Sequence, residues 1–445
     1  MKVSVIGTGY VGLVSGVCLA ERGHEVICVD ADTRKIDQIS RGISPIFERD
    51  LEPLLRKHIG NRLRATADLR RAVFDTDISL IAVGTPFNNN EIDLQFVKQV
   101  SQQIGEALRG KSDYHVVVVK STVVPGTTDG VVLPILEQVS GKKAGLDFGV
   151  GMNPEFLTEG EAVNDFMNPD RIVLGGGDPR TIACLQQLYS DFGTTDKLIT
   201  NSRTAEMIKY ASNALLATMI SFANEIGNLG AAVGGIDIVD VMRGVHLSNY
   251  LSMRMPDGTR KAPGITSFLA AGCGFGGSCL PKDVKALLAH GRKAGVSMDL
   301  LDSVIQINER QPRKIISLLK KHHSNLDGVR VAVLGLSFRP NTNDMRESPA
   351  LPILRALVSE GARVKAYDPA AGKEAREIFR GDSVQVCEEL AQTISDADAV
   401  VLVTRWEEFR DLPELLRQVE PPPVFVDGRR MLDKSNFARY EGIGL

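Results

Sequence analysis

Cysteine is scarce and scattered. The six, Cys18, Cys28, Cys184, Cys273, Cys279 and Cys387, form no C-x-x-C pair and have no histidine partners at zinc spacing. That argues against a zinc module and a disulfide framework, so reduced thiols, no metal and a cytoplasmic setting are expected. Long apolar runs are missing too. No segment reaches about 18 uninterrupted apolar residues, so no transmembrane helix is expected. Charge of one sign is absent: 52 Lys+Arg against 55 Asp+Glu leave −3. Such a chain has no field for nucleic acid or an anionic membrane, although a local anion pocket is not excluded. The opening MKVSVIGTGYVGLVSGVCLA has the lysine, apolar run and small residues of a signal peptide. Its glycines interrupt the run, and a strand–turn–helix reading accounts for every residue, so secretion is not expected.

What is present is an ordinary globular composition, 43% hydrophobic and 24% charged, in 445 residues. That is too long for one core and predicts two or three domains. KVSVI reads as a buried strand, GTGYVG as a turn, and the helix signal runs to Arg22 before Gly23 stops it. EVICVD, DISLIAVGTP, YHVVVVKSTVVPG and FGVGMNPEF are further strand-like runs that break at Gly or Pro. Strands alternating with helices predict a doubly wound parallel sheet. Residues 203–234 lack proline, end on paired glycines and read as one helix of about 45 Å. It is apolar nearly all round, which suits burial between domains or in a subunit interface. Residues 246–273 are looser, with MPDGTRKAPG read as a loop. From 329, VRVAVLGLSF, ARVKAYDPA, DADAVVLVT and PPPVFVDGRR repeat the opening pattern and read as a second, incomplete Rossmann-like half. The expected architecture is α/β: two Rossmann-like doubly wound domains, 1–202 and 313–445, joined by a long central helix and helical domain, 203–312.

Three constellations carry chemistry. Gly7, Gly9 and Gly12 form G-x-G-x-x-G between a strand and a helix, with Asp30 closing the next strand. The first glycine allows the turn, the second lets a pyrophosphate approach the helix N-terminus, and the third allows close packing. The acid suits a ribose 2′-hydroxyl, hence NAD rather than NADP. The alternative is a tight turn without a nucleotide. In GFGGSCLPKD (274–283), Pro281 marks a helix start, which puts Cys279 at the positive end beside Lys282. Gly276 and Gly277 are read as leaving room for a substrate, and Asp283 shares the turn. The alternative is an inert core thiol, the reading taken for Cys18, Cys28, Cys184 and Cys387. Lys209 and Asn213, four apart on the long helix, share a face that can hold an oxyanion or, as ordinarily, only water.

With GTGYVG, VGTP (83–86), KSTVVPGTT (120–128), NPEFLTEG (153–160), EMIKYASNALLA (206–217), GFGGSCLPKD, FRPNTNDMRES (338–348) and VFVDGRR (424–430), the whole chain resembles the UDP-glucose/GDP-mannose dehydrogenase family. The resemblance implies oxidation of the C6 alcohol of a nucleotide sugar to a carboxylate, with two NAD and no metal, through a cysteine thiohemiacetal and thioester. By that resemblance Cys279 is the nucleophile, Lys209 and Asn213 stabilise the oxyanion, and Asp283 with Thr122 handles protons. Glu155 lies near the reacting carbon. The NAD contacts implied are Gly7, Gly9, Tyr10, Val11, Gly12, Asp30, Lys35, Thr85, Thr122, Glu159, Lys282 and Arg346. Substrate contacts implied are Glu155, Phe156, Leu157, Lys209, Asn213, Phe268, Gly272, Gly276, Arg339 and Arg430. A homodimer or higher homo-oligomer is expected.

Several segments depart from the family pattern. PIFERDL (45–51) replaces a common P-I-[YF]-E-P-G-L, with Glu48 kept, and Arg339 stands where many relatives have lysine. The segment 246–272 is longer than in relatives, which use an arginine here to reach the neighbouring subunit's substrate; Arg254, Arg260 or none fills that role. EGEAVNDFMNPDRIVLGG and TRWEEFR favour UDP-glucose over GDP-mannose or a UDP-N-acetylhexosamine. A two-electron hydroxyacid dehydrogenase would need neither Cys279 nor residues 329–445. A non-catalytic NAD-binding regulator would not need the Cys279, Lys209 and Asp283 set.

Overall fold

The computed structural model describes all 445 residues, which divide into two compact units, Met1–Ser212 and Asn213–Leu445. The first is built on eight strands: β1 (Lys2–Ile6), β2 (Glu25–Val29), β3 (Leu63–Thr66), β4 (Ile78–Ile81), β5 (His115–Val119), β6 (Phe148–Met152), β7 (Arg171–Gly176) and β8 (Asp196–Thr200). Their order is β8-β7-β6-β5-β4-β1-β2-β3, parallel except where β7 runs against β6. The central strands are apolar and β-branched, as strands covered on both faces must be. Val3, Val5, Leu80, Val117 and Val118 are wholly buried. The helix α1 (Tyr10–Glu21) follows β1 and ends at Arg22, with Gly23 in the left-handed region at φ +93°. β1, β2, β4, β5 and β6 all end in the loops that carry the sequence motifs. Ligands of open α/β sheets bind at such carboxyl ends.

The second unit holds a six-stranded sheet: β9 (Arg330–Leu334), β10 (Arg363–Tyr367), β11 (Val384–Val386), β12 (Ala399–Leu402), β13 (Val424–Asp427) and β14 (Tyr440–Gly442). The order β11-β10-β9-β12-β13-β14 is parallel throughout. It is therefore a complete doubly wound sheet, not the incomplete half expected. The two missed strands are three-residue edges with partly exposed side chains, too short to show a period.

The first turn of this sheet parallels that of the first unit, with one more turn N–H held by the acid. Asp368, just past β10 as Asp30 is just past β2, accepts from Leu336 N, Ser337 N, Ser337 Oγ and Trp406 Nε1 on one oxygen. Its other oxygen accepts from Ala370 N and Ala371 N. Ser337 occupies the place that Gly9 has in the first turn.

The helix α2 spans Ser202–Val233, within a residue of the expected limits. Residues 253–261 are not a plain loop: Met253–Arg254 pairs antiparallel with Arg260–Lys261 around a turn containing Gly258. Two-residue strands fall below what alternation can reveal.

Candidate active site

The glycine turn is shaped for a nucleotide. Gly7 has φ +98°, and a side chain there would meet Ala82 O at 2.7 Å. A Cβ on Gly12 would lie 1.8 Å from Gly7 O, so α1 can approach its own turn only with glycine. Gly9 differs: nothing of the protein lies within 4 Å of its missing Cβ, and it precedes α1 with no side-chain cap. The start of the helix thus has no side-chain cap, and the space beside Gly9 is open, the setting that takes a pyrophosphate. Asp30 accepts from Thr8 N (2.8 Å), Thr8 Oγ1 (2.6 Å) and Asp32 N (2.9 Å), with Lys35 Nζ at 3.9 Å. Burial pushes its carboxyl up, but those donors and Lys35 outweigh it and hold the group below its usual range. This carboxylate stands at the end of β2, where a ribose hydroxyl needs an acceptor. Thr8, which orients it, had no signal beyond its place between the glycines.

Tyr10 has a second task. Its hydroxyl bonds Glu48, and Gly160 N donates to both Tyr10 Oη (2.9 Å) and Glu48 Oε2 (2.7 Å). Ala162 N donates to Glu48 Oε1 at 2.9 Å. The residue after Gly9 is thus tied to the turn that closes NPEFLTEG, next to the half-buried Glu159. Val11, in the first turn of α1, is half-buried against the core, and Thr85 Oγ1 donates to Thr122 O at 2.8 Å.

Glu155 and Lys209 form an ion pair at 2.9 Å, both side chains 5% exposed. Leu157 N donates to Glu155 Oε2 at 2.6 Å, and the Lys209 ammonium stands 5.6 Å from the centre of the Phe156 ring. Arg171 covers the same ring at 3.9 Å. Burial raises the Glu155 carboxyl, but the charge and hydrogen bond of Lys209, Leu157 N and the charge of Lys120 together bring it below the usual range. The result is a buried carboxylate kept ionised, beside an ammonium able to meet negative charge on oxygen.

In the second unit Cys279 directly precedes the helix α3 (Leu280–Lys293), with Pro281 in its first turn, as the motif predicts. Its Sγ lies 3.6 Å from Ser278 Oγ. Asp283 is buried, accepting from Asn213 Nδ2 at 2.6 Å and from Lys282 Nζ at 2.5 Å. Asn213 thus presents its amide to Asp283, a partner 70 residues away that the helix spacing alone did not point to.

Other expected contacts are engaged within the protein. The reading that Gly276 and Gly277 leave substrate space is corrected: their Cβ positions lie 2.2 Å from Glu347 O and 2.7 Å from the Phe338 ring. They permit close packing on 338–348, and Gly277 N donates to Arg346 O. Gly272 is held through both backbone groups, by Asn224 Oδ1 and Gln311 Nε2. Arg430, expected among the substrate contacts, binds Asp237, Ile443 O and Tyr440 Oη with its side chain 6% exposed. Arg346 pairs with Asp344 at 2.7 Å and is largely exposed. Phe268 ends a short 3-10 turn, Gly264–Phe268, and Arg339 is half-buried. In the longer segment, Arg260 Nη1 donates to Leu247 O and Ser252 Oγ, while Arg254 is exposed on the hairpin.

Three domain families match the chain, all from the UDP-glucose/GDP-mannose dehydrogenase family: the NAD binding domain over residues 1–193, the central domain over 203–310 and the UDP binding domain over 332–434. The chain is 39% identical to a UDP-glucose 6-dehydrogenase of Haloferax volcanii, covering 100% of each. It is 41% identical to a GDP-mannose 6-dehydrogenase of Pseudomonas putida, again over 100% of each. Among solved structures, a UDP-glucose dehydrogenase from Pyrobaculum islandicum superposes with a TM-score of 0.90 at 37% identity, covering 99% of this chain and 97% of that one.

Proposed function

Since this chain belongs to the UDP-glucose/GDP-mannose dehydrogenase family of NAD-dependent nucleotide-sugar 6-dehydrogenases, we propose that it oxidises UDP-glucose to UDP-glucuronate in the cytoplasm. Two relatives of that specificity and the segments 159–176 and 404–410 support UDP-glucose. The equally similar GDP-mannose enzyme makes the donor an experimental question.

NAD bound at the glycine turn would supply the hydride acceptor for each of the two oxidations, a fresh molecule for each. The chain's own residues do the rest. Cys279 Sγ adds to the aldehyde carbon, forming a C–S bond. Lys209 and Asn213 stabilise the negative charge on oxygen. After the second oxidation the carbon is a thioester. Water cleaves the C–S bond, the acid leaves, and the thiolate is regenerated. Asp283 takes part in the proton transfers, with Thr122, and Glu155 holds its negative charge near the reacting carbon. The observation that carries this reading is the Asn213–Asp283–Lys282 hydrogen-bonded chain in the first turn of the helix that begins after Cys279. A two-electron hydroxyacid dehydrogenase has no use for a thiol placed there.

The pure protein, given NAD and UDP-glucose, UDP-N-acetylglucosamine, UDP-N-acetylmannosamine or GDP-mannose, should form two NADH per UDP-glucose consumed. One NADH per sugar, or turnover of another donor in preference, would overturn the reading. In Cys279→Ser, NAD and sugar-nucleotide binding should persist while steady-state four-electron oxidation is lost. The same reading includes three functional parts, 1–202, 203–312 and 313–445, and self-association through α2, where Leu215, Phe222, Leu229 and Val233 are exposed along one side.

A further inference from the structure

A second buried lysine stands by the Glu155–Lys209 pair. Lys120 directly follows β5 and is 3% exposed. Its Nζ donates to Asn153 Oδ1 at 2.9 Å and lies 3.5 Å from Tyr189 Oη, which donates to the same Asn153 oxygen. Asn153 Nδ2 donates onward to Val173 O, and Asn153 opens the segment that carries Glu155 two residues later. The Phe166 ring closes the remaining side, 5.9 Å from the ammonium. Lys120, Asn153, Glu155 and Tyr189 line one cavity of about 260 Å³, whose other charged walls are Asp165, Asp170 and Arg171.

Burying a cation is costly unless its charge is answered. The groups hydrogen-bonded to Lys120 are neutral, so the buried negative charge that answers it is Glu155, already paired with Lys209. Glu155 thus answers two buried ammoniums, Lys209 in a 2.9 Å ion pair and Lys120 from the wall of the same cavity. Burial pulls the Lys120 ammonium down to about 8, with Glu155 acting against that pull and Lys209 adding to it. We propose that Lys120 is a positioning residue for the oxidation: through Asn153 it fixes the segment that carries Glu155, and through its charge it keeps Glu155 ionised beside Lys209. The inference rests on the reading of Glu155 and Lys209 as members of the reacting centre.

The sign of the effect follows. Removing a positive charge makes a nearby carboxylate easier to protonate, so any step that needs Glu155 ionised fails at higher pH. In full-length Lys120→Met, or Lys120→Gln if Met does not fold, the acid limb of the kcat profile should move up by about one pH unit. Rate should be largely recovered on the alkaline side, and Lys120→Arg should keep the wild-type limb. A purely structural role lowers kcat equally at every pH and leaves the limb in place; that outcome overturns the proposal. A second readout needs no turnover. In a denaturation cycle of Lys120→Met, Glu155→Gln and the double variant, the unfolding constant of the double should differ from the product of the single effects by about five-fold or more. Simple multiplication of the single effects overturns the inference even if no nucleotide sugar is oxidised. Failure here is thereby separated from failure of the substrate reading.

Discussion

Asp50 shows how a non-glycine residue can take a conformation that glycine favours. In PIFERDL the Pro-Gly turn of relatives is lost from the sequence, yet Asp50 takes φ +61°, ψ 0°, the left-handed conformation that glycine adopts without cost. It stands immediately before the helix Leu51–His58 with no side-chain cap to offset the strain, and it is largely exposed. Asp tolerates this region better than most residues, and a β-branched side chain does not. Asp50→Gly should therefore keep or raise the unfolding midpoint, while Asp50→Val should cost about 1–2 kcal/mol; chemical denaturation of the two variants checks this. At this scale the sequence was legible for residues whose partners are local, such as Cys279 at its helix start. It misled where the partner is remote. The Arg430–Asp237 pair, which spans 193 positions, left no signal in it. Gly276 reads as open space, but a backbone carbonyl 71 positions later fills it.

At the scale of the element, the turn between β1 and α1 separates glycines that serve packing from the one that serves a ligand. Gly12 touches the turn itself, so Gly12→Ala must push α1 off the sheet and should lower thermal stability markedly. Gly9 has empty space before it, so Gly9→Ala should melt like the wild type while losing NAD affinity by tenfold or more, about 1.4 kcal/mol. Calorimetric melting and NAD titration on the two variants make the comparison. Equal melting of both would show that the turn is looser than its contacts require. The long strands and α2 were readable because each is long enough to display its period. The strands at 384–386 and 440–442 and the hairpin at 253–261 were not, since two or three residues carry no period and owe their pairing to neighbours far along the chain.

Over the whole molecule, no helix is long and apolar enough to cross a membrane. Exposed apolar side chains gather instead on α2 and the segment after it, including Leu247, Tyr250 and Met253. If α2 associates with a second copy, Leu229→Glu should shift the sedimenting species to a monomer without unfolding it, and an unchanged mass would remove that face from consideration. The first six strands of the two sheets share an order, yet in the turn closed by Asp368 the N–H at the Gly9 position is also tied to the acid, and a serine replaces the open glycine. The coenzyme seat is therefore assigned to the glycine turn of the first unit, inside the NAD binding domain. In the proposed four-electron chemistry, reduced coenzyme has to vacate that seat and a fresh oxidised molecule has to enter while the half-oxidised sugar stays behind. The covalent tether to Cys279 then acts as a mooring across the exchange, and cellular NAD supply sets how long the intermediate must wait.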